Sequence, residues 1–140
     1  MTPERESSLA FDLATLSDVG SERANNEDCC GTWVDGAKSA LLAVADGVGE
    51  YEGGELASQT AIEVTLKAYS ESPASWGALK RLHRAVQQAN IEIYDRAIVV
   101  PELRRMATTI TAVVIDAGEL MPSRETGTGL RRRVRKLFGR

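Results

Sequence analysis

Apolar positions recur along this chain with two periods, and the change from one to the other divides it into blocks. Residues 11–16, FDLATL, alternate loosely as a half-buried strand does and stop at the turn-forming run Ser17-Asp18-Val19-Gly20. After the polar stretch SERANNED, the segment CCGTWV predicts a second strand, and DGAK (residues 35–38) predicts a hairpin turn, because Asp-Gly suits positive-φ turn types. Residues 40–45, ALLAVA, are apolar throughout, which predicts a third strand buried on both faces.

The period then lengthens. Between residues 54 and 70, Ala57, Ala61, Val64 and Ala68 form a helical stripe with Ile62, Leu66 and Tyr69 beside it. A second helix is expected after SPAS, with Ser75 as its N-cap and a stripe of Leu79, Leu82, Val86, Ala89, Ile93 and Ala97. Pro101 closes it. ATTITAVVID returns to β-branched strand character, an Ala117-Gly118 turn follows, and another strand begins at Leu120. Hairpin-linked strands, two helices and strands again predict an α+β layered sandwich rather than a doubly wound sheet.

At 140 residues, 43% hydrophobic and 26% charged, the composition is that of an ordinary globular domain. The longest apolar run falls far short of the roughly 20 residues that span a bilayer, and no signal-peptide pattern follows the N-terminus, so a soluble cytoplasmic protein is expected. Adjacent Cys29 and Cys30 would point to opposite faces of a strand, which disfavours a disulfide between them; both are expected to be buried and reduced. Net charge is unevenly spread. Residues 1–120 carry −9, and residues 121–140, with seven basic residues and one acid, carry +6.

Candidate chemistry sits in two clusters, Arg23-Ala-Asn-Asn-Glu27-Asp28 and Asp46-Gly47. A short turn between the strands that follow and precede them makes those strands antiparallel neighbours, which brings Glu27, Asp28 and Asp46 to one end of a sheet. Carboxylates gathered there repel one another unless a cation sits among them, and an oxygen-only donor set suits Mg²⁺ or Mn²⁺. Gly47 has no Cβ to keep its carbonyl from a metal, and the Arg23 guanidinium offers paired donors to a phosphate.

The segments SDVGSERANNED, LLAVADGVGEYEGGELAS and MATTITAVVI occur in this order over residues 16–120. Together they resemble the N-terminal half of the bacterial PPM-type (type 2C) metal-dependent serine/threonine protein phosphatases. The resemblance implies part of an αββα sandwich, antiparallel sheets flanked by helices, and hydrolysis of phosphoserine or phosphothreonine by metal-activated water. It implies Asp46 as the aspartate shared by two Mn²⁺ or Mg²⁺ ions, with Glu27 and the Gly47 carbonyl as further metal ligands. Asp28 would orient water, Arg23 would hold the substrate phosphate, and Glu55 and Ser58 would be structural. The implied partner is a phosphoprotein, the product of a cognate Ser/Thr kinase, and no nucleic acid is expected.

The resemblance places a half-domain at residues 8–120 and leaves residues 121–140 outside the family pattern. The family's Gly-Asp-Ser-Arg segment, and the later Asp-Gly and Gly-Asp-Asn whose aspartates complete its first metal site, are not found beyond Leu120. At most one half-formed metal site is therefore expected, and the alternative reading is a catalytically inactive remnant or a binding protein. Leu130, Val134, Leu137 and Phe138 fall at helical spacing among arginines, the pattern of a basic helix for an anionic membrane. A shifted reading frame is the preferred account of that tail.

Overall fold

The computed structural model describes residues 11–36, 38–49, 52–116 and, as backbone, 119–128. Its elements are β1 (Asp28–Asp35), β2 (Ser39–Val48), α1 (Gly53–Glu71), α2 (Ala78–Val99), β3 (Ala107–Asp116) and β4 (Glu119–Thr128). The four strands form one antiparallel sheet in the order β1-β2-β3-β4, so that each strand pairs with its neighbour in sequence. The class is α+β, as the alternation of periods predicts.

The hairpin between β1 and β2 follows from local chemistry. Gly36 takes φ of 54°, a left-handed conformation that glycine adopts without penalty, and the register then runs from Asp35 opposite Ser39 to Asp28 opposite Asp46. Trp33 therefore lies opposite Leu41, and Cys29 opposite Ala45. In the next pair Asp46 faces Thr109 and Gly47 faces Thr108.

Both helices lie on one face of the sheet. Leu41, Ala43 and Ala45 of β2 and Ile110, Ala112 and Val114 of β3 point into a core shared with Ala57, Ala61 and Ile62 of α1 and Leu82, Ala85, Val86 and Ile93 of α2. The many alanines let the backbones approach closely. Gly31 makes room in the same way on β1: a Cβ there would stand 2.7 Å from side-chain atoms of Ile62 and Leu66.

Among the described residues no helix or strand packs over the opposite face, and this corrects the expectation for β2. Its burial alternates from Leu42 onward, with Val44 56% and Val48 63% exposed, because only one face meets helices. Residues 11–16 form no strand. Ala14, Thr15 and Leu16 instead border a groove of about 330 Å³ on the open face, floored by Cys30, Thr32, Leu42, Val44, Thr111 and Val113.

Other boundaries also move. Ser75 caps nothing, since residues 74–76 wind into a 3₁₀ turn and Gly77, at φ of 72°, precedes α2. Leu79 is half exposed because it lies in the first turn of α2, whereas the rest of its predicted stripe is buried. In α1 the buried face is rotated toward Ile62, Thr65 and Tyr69, leaving Val64 and Ala68 only partly covered. Both cysteines are free and half-buried, with Cys29 against the core and Cys30 on the groove. The strand expected from Leu120 runs from Glu119 to Thr128 and pairs with β3 throughout. The basic helix expected around residues 130–138 lies outside the described residues.

Candidate metal centre on the open face

The N–H of Gly47 donates to the carbonyl of Glu27 at 2.9 Å. This makes residues 27 and 47 the hydrogen-bonded pair of the ladder and Asp28 and Asp46 the next, non-hydrogen-bonded pair. Side chains of such a pair share one face and stand closer together than in the alternate pairs. Two carboxylates thus oppose each other directly at the exposed end of the sheet, on the side away from the helices.

A depression of about 480 Å³ opens here, lined by Asp18, Asp28 and Asp46 with Ser17, Thr109 and Thr111. Thr108 stiffens its rim. Its buried hydroxyl lies 2.9 Å from the carbonyl oxygens of both Asp46 and Thr109, and its single proton serves one at a time. Asp18 also accepts from the N–H of Gly20 at 2.8 Å, an Asx turn that fixes its carboxylate.

The remaining predicted residues sit around this pair. Gly47 is buried where the start of α1 crosses β2: a Cβ would run into the Gly54 carbonyl and lie 2.7 Å from the Glu27 carbonyl oxygen. Glycine is needed there for close approach. The Glu27 carboxylate turns toward the first turn of α1, where a Cβ on Gly54 would stand 2.6 Å from its Oε1. That is a favourable place for negative charge, beside the positive end of the helix dipole. Glu27 does not line the Asp28–Asp46 depression, and neither does Arg23, which is exposed in the preceding loop. Ser58, by contrast, is fully buried and donates to the Glu55 carbonyl at 3.0 Å, as a structural residue would.

The sequence reading missed Asp18, Ser17 and Asn26. The signal for Asp18 was an Asp two residues before a glycine, the mark of an Asx turn, but nothing local says that the turn folds back beside Asp28.

Among the described residues no three His, Cys, Asp or Glu side chains converge closely enough to chelate an ion. The donors present still fit a hard divalent cation in kind. Mg²⁺ is commonly held by one or two carboxylates, with water or phosphate oxygens completing the shell, and two directly opposed carboxylates on an open depression match that pattern.

Comparison with known proteins assigns the class. Residues 20–122 match the family described as Protein phosphatase 2C. The chain belongs to that family, the PPM/PP2C serine/threonine phosphatases of bacteria. It is 36% identical over 112 residues to the serine/threonine protein phosphatase PstP of Mycobacterium tuberculosis, covering 80% of this chain and 21% of that one. Identity to the serine/threonine phosphatase stp of Listeria innocua is 30% over 108 residues, covering 75% of this chain and 43% of that one.

The structure of the PstP catalytic domain in complex with two manganese ions superposes with a TM-score of 0.64 at 38% identity, covering 79% of this chain and 45% of that one. Staphylococcus aureus Stp1 shares the fold with a TM-score of 0.71 at 22% identity, covering 86% and 49%. The chain thus spans less than half the length of each of these four relatives. No described helix is long and apolar enough to cross a membrane.

Proposed function

We propose that this chain supplies the N-terminal part of a metal-dependent phosphoprotein phosphatase site, with Asp28 and Asp46 holding Mn²⁺ or Mg²⁺. The observation that carries this reading is their direct opposition in a non-hydrogen-bonded pair. Like charges placed opposite one another on a sheet are destabilising, so the arrangement is costly without a cation between them. A bound divalent pair would supply an activated water and neutralise charge on a phosphoryl group.

The chain's own residues bind and orient. Asp46 would be the central donor, and Asp28, which lies opposite it, would hold a water by accepting its protons. The Gly47 carbonyl and the Glu27 carboxylate are the outer oxygen donors, with Glu27 acting through water. Arg23, on the exposed loop before Glu27, would offer paired donors to the phosphate of a phosphoserine or phosphothreonine protein, the product of a cognate kinase.

A second reading, a half-site that binds an ion without turnover, is favoured by the absence, among the described residues, of a third chelating side chain. Calorimetric titration with Mn²⁺, followed by assay on para-nitrophenyl phosphate and a phosphothreonine peptide, separates the two. Saturable binding in the wild-type chain, absent in Asp46→Asn, is expected. Binding with turnover selects the phosphatase, and binding without it selects the half-site. No saturable binding in a folded sample rejects both.

A further inference from the structure

β1 is an edge strand, and its first residue is Asp28. Because Asp28 is in a non-hydrogen-bonded pair, its N–H and C=O both point away from β2, toward the side where no further strand pairs among the described residues. Strand ends with unpartnered backbone groups fray.

Two side chains take up both groups. Asn26 Oδ1 accepts from the Asp28 N–H at 3.0 Å, and Ser17 Oγ donates to the Asp28 carbonyl at 3.2 Å. They also hold each other, since Asn26 Nδ2 donates to Ser17 Oγ at 2.8 Å. The result is a closed ring of three hydrogen bonds around the backbone of one residue, joining the loop at 16–20 to the start of β1. The same ring sets Ser17 and Asp18 on the wall of the carboxylate depression.

We infer that Ser17 and Asn26 are positioning residues, which clamp the backbone of Asp28 so that its carboxylate stays opposite Asp46 for a divalent cation. The inference rests on the reading of that pair as cation-binding. The ring is cooperative: Asn26 is anchored only while Ser17 holds its amide, so loss of either side chain releases both backbone groups. In metal sites, groups that orient a ligand commonly matter about 10–100-fold in affinity.

The test follows the Asp28 amide and Mn²⁺ affinity together in wild type, Ser17→Ala, Asn26→Ala and Ser17→Thr. In the metal-free chain, Ser17→Ala should speed hydrogen exchange at the Asp28 amide about tenfold, although Ser17 does not bond that amide. Core amides such as those of Leu82 and Ile93 should be unaffected. Mn²⁺ affinity by calorimetry should fall about tenfold in both alanine variants, and Ser17→Thr, which keeps the hydroxyl, should restore both readouts.

Unchanged exchange at Asp28 in Ser17→Ala overturns the clamp. Faster exchange everywhere, core amides included, overturns it in favour of a global stability role. Released Asp28 with unaltered Mn²⁺ affinity reduces the ring to a strand cap and overturns the positioning role. A wild-type chain that binds no Mn²⁺ fails the proposed function, and with it the positioning role; the exchange data then decide only whether the ring holds the strand end.

Discussion

Arg81 of α2 donates from Nη2 to the carbonyl of Tyr69 at 3.0 Å, and its guanidinium carbon lies 4.2 Å from the centre of the Tyr69 ring. The last turn of α1 contains no basic residue of its own, so a cation from the neighbouring helix meets its negative end. Arg81 Nε also donates to Ser72 Oγ at 2.9 Å, and Trp33 meets Tyr69 edge-on at 5.4 Å. One buried arginine thereby ties α2, the end of α1 and β1 together. Replacing it by Met should cost about 1.5–3 kcal/mol, the range for hydrogen bonds to a charged group. Arg81→Lys should recover less than half, because an ammonium cannot reproduce the fork. Urea unfolding followed by far-UV circular dichroism measures both.

Tyr69 makes stability sensitive to alkali. Burial pushes its phenol above the ordinary value of 10.0, opposed in part by Arg81 and reinforced by Asp116 and Asp35. An acid whose pKa is raised by folding contributes stability that is complete below its unfolded pKa. That contribution is lost as pH rises through the folded value. Stability should therefore decline from about pH 10 upward, and Tyr69→Phe should flatten that limb. The Tyr69 and Ser39 hydroxyls lie together in the interior without a well-formed hydrogen bond, so the same substitution should be neutral or slightly stabilising at pH 7. Unfolding midpoints from pH 7 to pH 11 provide the comparison.

The opposed carboxylates predict a trade between stability and metal binding. In metal-free buffer at low ionic strength, Asp46→Asn should raise stability by about 0.2–1 kcal/mol, the worth of removing a like-charge pair on a sheet. It should also abolish the stabilisation that Mn²⁺ confers on the wild type. Thermal melts with and without 1 mM-scale Mn²⁺ (an order-of-magnitude choice for saturating a weak site) read both effects. A loss of metal-free stability in Asp46→Asn would contradict the strained-pair account.

Much of this fold was legible because period and turn chemistry act locally. The stripe Leu82, Val86, Ala89, Ile93 and Ala97 requires only α2 itself, and Asp35-Gly36 sets the β1–β2 register that brings Asp28 opposite Asp46. What escaped depended on distant partners. FDLATL alternates like a strand, yet residues 14–16 lie beside the open-face groove rather than in a ladder. The apolar run 40–45 cannot reveal which of its faces lacks a covering layer. Glu27 and Asp28 are adjacent in sequence, but one carboxylate turns to the start of α1 and the other to Asp46, a division set by where α1 crosses β2. Ser17 and Asn26 are nine residues apart in a polar loop, and only the return of that loop to the β1 edge makes them partners.

The two faces of β2 can be tested against each other at adjacent positions. Ala45 is 4% exposed and packs against the helices, whereas Val44 is 56% exposed on the open face. Ala45→Lys would bury an unpaired ammonium in the core, beside its cross-strand partner Ile110, a change that costs several kcal/mol and should prevent cooperative folding. Val44→Lys leaves its charge in water and should change stability by no more than about 0.5 kcal/mol, as surface substitutions generally do. Equal damage at both sites in urea titrations would mean that the Val44 face is covered in solution. A tolerated Ala45→Lys would mean that the helices pack on the other side of the sheet. The expected asymmetry, severe at 45 and negligible at 44, would establish that the carboxylate pair and the groove beside it share a face open to solvent.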